Sequence, residues 1–201
     1  LLRSHGIEKI FIVTGFMSEY YENLSNSFIK CFYNEKFEST GSFYSLLTVS
    51  KYLSGDIILL ESDLLYESDA LPDLFKLSEE NIILASDLSF SGDEVYIDYN
   101  RKKYLVNLSK NSESIKKKSA ELVGINKVSY DTINILKYWA ERNNDYAKKC
   151  HYEEAFVKII NKKSFYVNKK QKLIWTEIDT EEHYRRAINY VYPKILSKEN
   201  G

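Results

Sequence analysis

Glycine and proline together supply nine of 201 residues, against roughly 12% in average usage. That excludes collagen-like and Gly/Pro-rich low-complexity architectures. Cysteine occurs twice, as Cys31 and Cys150. Two cysteines cannot build a disulfide framework, and a reducing, cytoplasmic setting suits them. The three histidines, His5, His151 and His183, are scattered without metal-ligand spacing. Charge of one sign is not in excess: 28 Lys and Arg face 29 Asp and Glu, net −1, so no basic footprint for nucleic acid is present. No apolar run approaches ~18 residues, so membrane insertion is not expected. No basic segment precedes an apolar one in the manner of a secretory signal. Leu1-Leu2 stands where an initiator Met would be and reads as the tail of a helix, so an N-terminal piece is expected to be missing. What remains is ordinary globular usage, 44% hydrophobic and 28% charged, which excludes bulk disorder. The 17 tyrosines fit a coding bias towards Lys, Ile, Asn and Tyr.

Gly6 reads as a helix C-cap. Lys9–Thr14, Phe28–Tyr33, Asp56–Glu61 and Asn81–Ser86 are short β-branched or apolar runs that predict buried strands. Between them Ser18–Ser25, Ser42–Leu53 (with Ser42 as its cap) and Leu71–Leu77 (with Pro72 in the first turn) predict helices. This alternation argues for an α/β fold, a mostly parallel sheet with helices on both faces. Asp93–Tyr99 and Lys103–Ser109 alternate apolar and polar residues and predict a hairpin. A strand over Ala120–Val128, one helix over Asp131–Lys149, a helix over Glu153–Ile160, short strands over Phe165–Val167 and Leu173–Ile178 and a closing helix over Glu181–Leu196 follow. One domain over 1–201 is expected, with 1–86 and 87–201 as its two halves.

Ligands of such sheets bind outside the carboxyl ends of the strands. Asp63 in Glu61-Ser62-Asp63 ends one predicted strand, and Asp179 in Glu177-Ile178-Asp179 ends another, 116 residues on. Brought together, the two carboxylates form the hard oxygen site that Mg²⁺ takes, with waters and substrate phosphates completing it. Each also has a plain structural reading, as the N-cap of a following helix.

The runs LLRSHGIEKIFIVTGF, Asn34 with STGS, ILLESDLLYE, SGDEVYID, LVGINKVS and LIWTEID resemble cytidylyltransferases of the 2-aminoethylphosphonate and phosphocholine type. These belong to the sugar-nucleotide pyrophosphorylase superfamily, and the resemblance spans nearly the whole chain. It implies a Rossmann-like nucleotide-diphospho-sugar transferase fold with a hairpin subregion for the acceptor. The activity it implies is transfer of CMP from CTP to a small amino-phosphonate or phosphate monoester, 2-aminoethylphosphonate ahead of phosphocholine, with release of pyrophosphate. It implies Mg²⁺ on Asp63 and Asp179, with Glu177 as a further ligand. Lys110 matches a family lysine that would hold the acceptor phosphonate. Asn34, Thr40, Gly41, Ser42 and Ser45 match the segment beside base and ribose, and equally read as a helix N-terminus. For a primary ammonium, which prefers carboxylates, Asp93, Glu94 and Glu153 are candidate partners, with Tyr152 and Trp175 as aromatic walls. Solvated surface charge is the competing reading for the acids. A homodimer or a fused catalytic domain is compatible with this.

One departure matters. Such enzymes open with a strand and a Gly-rich loop ending in a basic residue, followed by a Pro-Lys segment, which cradle the triphosphate. Neither occurs in these residues, so on their own they are expected to bind CTP poorly and turn over little. Two other classes stay open: a Mg²⁺-dependent glycosyltransferase reading Glu61-Ser62-Asp63 as its acidic motif, and a nucleotide-binding module without activity.

Overall fold

The computed structural model describes residues 1–89, 92 and 94–200. In chain order its elements are β1 (Ile10–Thr14), α1 (Glu19–Glu22), β2 (Ile29–Tyr33), α2 (Ser42–Ser50), β3 (Ile57–Leu60), β4 (Leu64–Tyr66), α3 (Pro72–Lys76), β5 (Ile82–Ser86), β6 (Tyr96–Tyr99), β7 (Leu105–Ser109), β8 (Ala120–Val128), α4 (Tyr130–Arg142), α5 (Asn144–Lys149), α6 (Tyr152–Ile159), β9 (Tyr166–Lys169), β10 (Trp175–Glu177), α7 (Glu181–Arg186) and α8 (Tyr192–Glu199). A π-helical turn over Ala187–Val191 joins the last two helices. The expected α/β fold is present. No described helix is long and apolar enough to cross a membrane.

The chain forms two compact units, Leu1–Ile57 with Ser129–Lys163, and Ile58–Val128 with Ser164–Gly201. The boundary expected at residue 86 is not where these units divide. The apolar face of α2 is completed by α4, α5 and α6 from later in the chain, while β5 and the hairpin share one sheet through β8.

In the first unit β1 and β2 pair in parallel, Ile10 opposite Ile29 through Thr14 opposite Tyr33. Helix α2 buries Phe43, Leu46 and Val49, and the Phe43 ring lies 5.8 Å from that of Trp139. Full burial of a side chain of this size contributes about 1.5–3 kcal/mol. The single helix expected over Asp131–Lys149 is interrupted at Asn143, whose φ of −132° leaves the helical region. Its side-chain Nδ2 donates to the Trp139 carbonyl at 2.8 Å, and such local side-chain bonds compete with helix continuation. Gly41, rather than Ser42, is the N-cap of α2.

In the second unit the strand order is β7-β6-β8-β5-β9, with β3 also paired to β8. All five residues of β5 are buried, as the unbroken run Ile82-Ile83-Leu84-Ala85 predicts. The β5–β9 pair is parallel, whereas β8 runs antiparallel to β5 and to β6, and β6–β7 is the expected hairpin. Gly124 in β8 has φ +84°, and a Cβ there would meet the Glu61 carboxylate. Only glycine accommodates both the left-handed backbone and that approach. Strand β4 and its antiparallel partner β10 form a separate two-stranded ladder in this unit.

Candidate active site

The β4–β10 ladder pairs Trp175 with Tyr66, Thr176 with Leu65 and Glu177 with Leu64. One step further the Ile178 N–H donates to the Asp63 carbonyl at 2.9 Å. The ladder therefore carries Asp63 and the Ile178-Asp179 turn to the same end, despite their separation in sequence. Asp63 precedes a strand, so it caps no helix. The cap of α7 is Thr180, whose Oγ1 accepts the His183 N–H at 3.2 Å. The plain structural reading of each aspartate as an N-cap is thereby removed.

Asp63 is half-buried, and its Oδ1 is fully shielded with no hydrogen-bond partner among the described residues. Burial pushes its carboxyl above the ordinary aspartate range. A hydrogen bond from its own backbone opposes this, the charge of Asp179 adds to it, and the cation of Lys110, just past β7, works against it. Asp179 and Lys110 are thus each within electrostatic reach of Asp63. Asp179 also faces His183, with Nδ1 to Oδ2 at 3.6 Å. His183 is a neighbour that its place in a polar helix did not signal. A shielded carboxylate oxygen beside a second carboxylate suits a hard divalent cation. Among the described residues no group of three or more His, Cys, Asp or Glu converges for a metal, so Glu177 does not complete a three-carboxylate cage.

Glu177 instead lines a cleft of about 220 Å³ with Ser89, Glu121, Trp175, Thr176, Arg186 and Val191. Glu121 is buried and accepts the Ser89 N–H at 2.6 Å and its hydroxyl at 3.0 Å. Arg186 donates to Thr176 Oγ1 at 2.7 Å. The π-helical turn after Arg186 supplies Val191 to this wall. Glu121 and Arg186 were not singled out from the sequence. An acid inside the apolar run Ala120–Val128 was the available signal, since buried acids are rare unless engaged.

Other expected residues are placed differently. Asn34 is buried, and its Nδ2 donates to Thr40 Oγ1 at 3.2 Å and Ser45 Oγ at 3.3 Å. The Gly41 N–H donates to the Lys148 carbonyl at 2.9 Å. Ser42 Oγ lies 3.2 Å from His151 Nδ1 and accepts the Tyr152 N–H at 3.2 Å. The polar groups expected beside a nucleotide are thus engaged within the first unit. Tyr152 is buried edge-on against Phe156, centroids 5.4 Å apart, and Glu153 is buried on the same helix. Glu94 is buried and accepts the Gly92 N–H at 3.2 Å and the Tyr96 hydroxyl at 2.9 Å. Asp93 lies outside the described residues.

No protein-family model matches the chain. Among solved structures it is similar to the inositol-1-phosphate CTP transferase from T. maritima, with a TM-score of 0.77 and 18% identity, covering 98% of this chain and 79% of that one. It is similar to the CTP:phosphocholine cytidylyltransferase LicC from Streptococcus pneumoniae, with a TM-score of 0.75 and 16% identity over 92% of this chain and 79% of that one. HddC from Yersinia pseudotuberculosis follows at 0.65 and 16%, over 92% and 80%. At these identities the likeness establishes the Rossmann-like fold of such nucleotidyltransferases.

Proposed function

We propose that this chain belongs to a nucleotidyltransferase that moves CMP from CTP to a small phosphonate or phosphate monoester, 2-aminoethylphosphonate ahead of phosphocholine, and releases pyrophosphate. The observation that carries this reading is the arrival of Asp63 and Asp179 at one end of the β4–β10 ladder, with Asp63 Oδ1 shielded and without a hydrogen-bond partner among the described residues and Lys110 in electrostatic range of Asp63. The two solved structures named as CTP-dependent transferases support it through the shared fold.

In this reading Asp63 and Asp179 hold Mg²⁺, which when bound supplies charge neutralisation for the α-phosphate and the leaving pyrophosphate. Lys110 orients the acceptor phosphonate by its positive charge. The acceptor oxygen forms a bond to the α-phosphorus as the bond to pyrophosphate breaks, and positioning and electrostatics carry such a step. We assign the acceptor amine to the cleft, where Glu121 and Glu177 offer carboxylates and Trp175 an aromatic face, in place of Tyr152 and Glu153. His183, 3.6 Å from the Asp179 carboxylate, orients it.

The natural full-length protein with CTP, Mg²⁺ and 2-aminoethylphosphonate is expected to release pyrophosphate. Asp63→Asn is expected to reduce the rate by about 100-fold or more. Undiminished turnover by that variant would falsify the metal role. Faster release with phosphocholine would reassign the acceptor. Hydrolysis of a nucleotide sugar would favour a glycosyltransferase, and nucleotide binding without any turnover a non-catalytic module.

A further inference from the structure

The end of the ladder opposite Asp63 is held by one residue. The Glu67 N–H donates to the Ile174 carbonyl at 3.0 Å, and Glu67 Oε1 accepts the Ile174 N–H at 2.9 Å. Both backbone polar groups of Ile174 are therefore satisfied by Glu67, the side chain acting where the next ladder carbonyl would. The second oxygen, Oε2, pairs with Lys198 Nζ of α8 at 2.6 Å, and this carboxylate is almost wholly buried, with 3% of its side chain exposed. Lys198 also reaches Asp69 at 3.1 Å. The adjacent Glu199 accepts the Ser68 N–H at 2.9 Å. Helix α8 thus clasps the segment that follows β4.

We propose that Glu67, backed by Lys198, is a positioning residue that fixes the register of the β4–β10 ladder and so brings Asp63 and Asp179 together. This rests on the reading that the two aspartates share a cation. The ladder contains only three residue pairs, too few to specify register strongly. A slip of one residue would turn every β10 side chain to the opposite face and move Asp179 relative to Asp63. Such a slip would also take Ile174 away from Glu67 and leave a buried carboxylate with one oxygen unsatisfied. Uncompensated burial of that kind is costly, so the pairing selects one register.

The test uses the full chain with Mn²⁺ as the probe, read by calorimetry and electron paramagnetic resonance, together with amide hydrogen exchange at Ile178. Glu67→Ala is expected to weaken Mn²⁺ binding by about 10-fold or more and to speed exchange of the Ile178 amide at the far end of the ladder. Glu67→Gln keeps an oxygen for the Ile174 N–H but loses the ion pair. It should melt earlier while leaving Mn²⁺ affinity and Ile178 exchange near wild type. Glu67→Leu replaces Glu67→Ala if the latter does not fold. Unchanged affinity and exchange in the Ala or Leu variant would overturn the proposal, as would a Gln variant that loses affinity in step with its melting temperature. Wild-type chain that ignores Mn²⁺, or binds it regardless of Asp63→Asn, would instead defeat the shared-cation reading. The exchange arm then still decides whether Glu67 sets the register.

Discussion

At Asp63 the surroundings work against ionisation. Burial raises its folded-state pKa above the ordinary 3.8, with Asp179 adding to the shift. A raised acid pKa means the folded state binds the proton more tightly than the unfolded chain. Stability therefore falls as pH rises from that ordinary value through the folded one, and the deficit persists at neutral pH. With chelator present, Asp63→Asn should melt a few degrees higher than wild type at pH 7, on the scale of about 2–4 °C per kcal/mol for a chain of this size. The gain should vanish near pH 3, where both are neutral. A melting curve at each pH decides it, and an equal gain at both would assign the effect to packing. At Gly41 a Cβ would collide with the carbonyls of Lys149 and Cys150. Gly41→Ala should cost about 1–3 kcal/mol by overpacking, read as a lower urea midpoint with unchanged slope. The buried Cys150 thiol is pushed up to about 11, chiefly by desolvation. At pH 8 a thiol reagent should therefore modify Cys31 first, and mass spectrometry of the labelled peptides would show it.

Among the elements, α4 is capped by Ser129, whose Oγ accepts the Thr132 N–H at 3.2 Å. Ser129→Ala should cost about 1 kcal/mol, and Ser129→Asp should retain most of the stability, both read by chemical denaturation. Strand β5 and the Tyr96–Ser109 hairpin were legible because an unbroken apolar run and a period-two alternation each have one economical burial. Strand β4 was not. Leu64-Leu65-Tyr66 is too short to show a period, and its strand character comes from β10, which lies more than a hundred residues away. The break at Asn143 was hidden because the apolar spacing runs on through it, while the decisive bond is one side-chain amide to Trp139. The two aspartates stood out because both follow apolar runs. Their convergence was read from their shared place at the carboxyl ends of predicted strands, and the resemblance then reinforced it, since no local pattern encodes it. The cleft residues Glu121 and Arg186 escaped for the same reason: one sits in a strand and the other at a helix end, and only tertiary structure joins them.

For the molecule as a whole, the proposed cation site lies entirely within the second unit. Mn²⁺ should slow amide exchange along β4 and β10 and leave α2, α4 and α6 unaffected. Protection spread evenly through both units would argue against a local site. A net charge of −1 and a pI near 6.4 place minimum solubility close to neutrality, and precipitation across pH 5–9 would map it. The two units are interleaved in sequence: the polypeptide passes from one to the other after Ile57, after Val128 and after Lys163. No single cut in the gene can therefore release either of them whole. Recombination with a homologue would exchange intact modules only with several breakpoints at once, so the two halves of this architecture are expected to be inherited together.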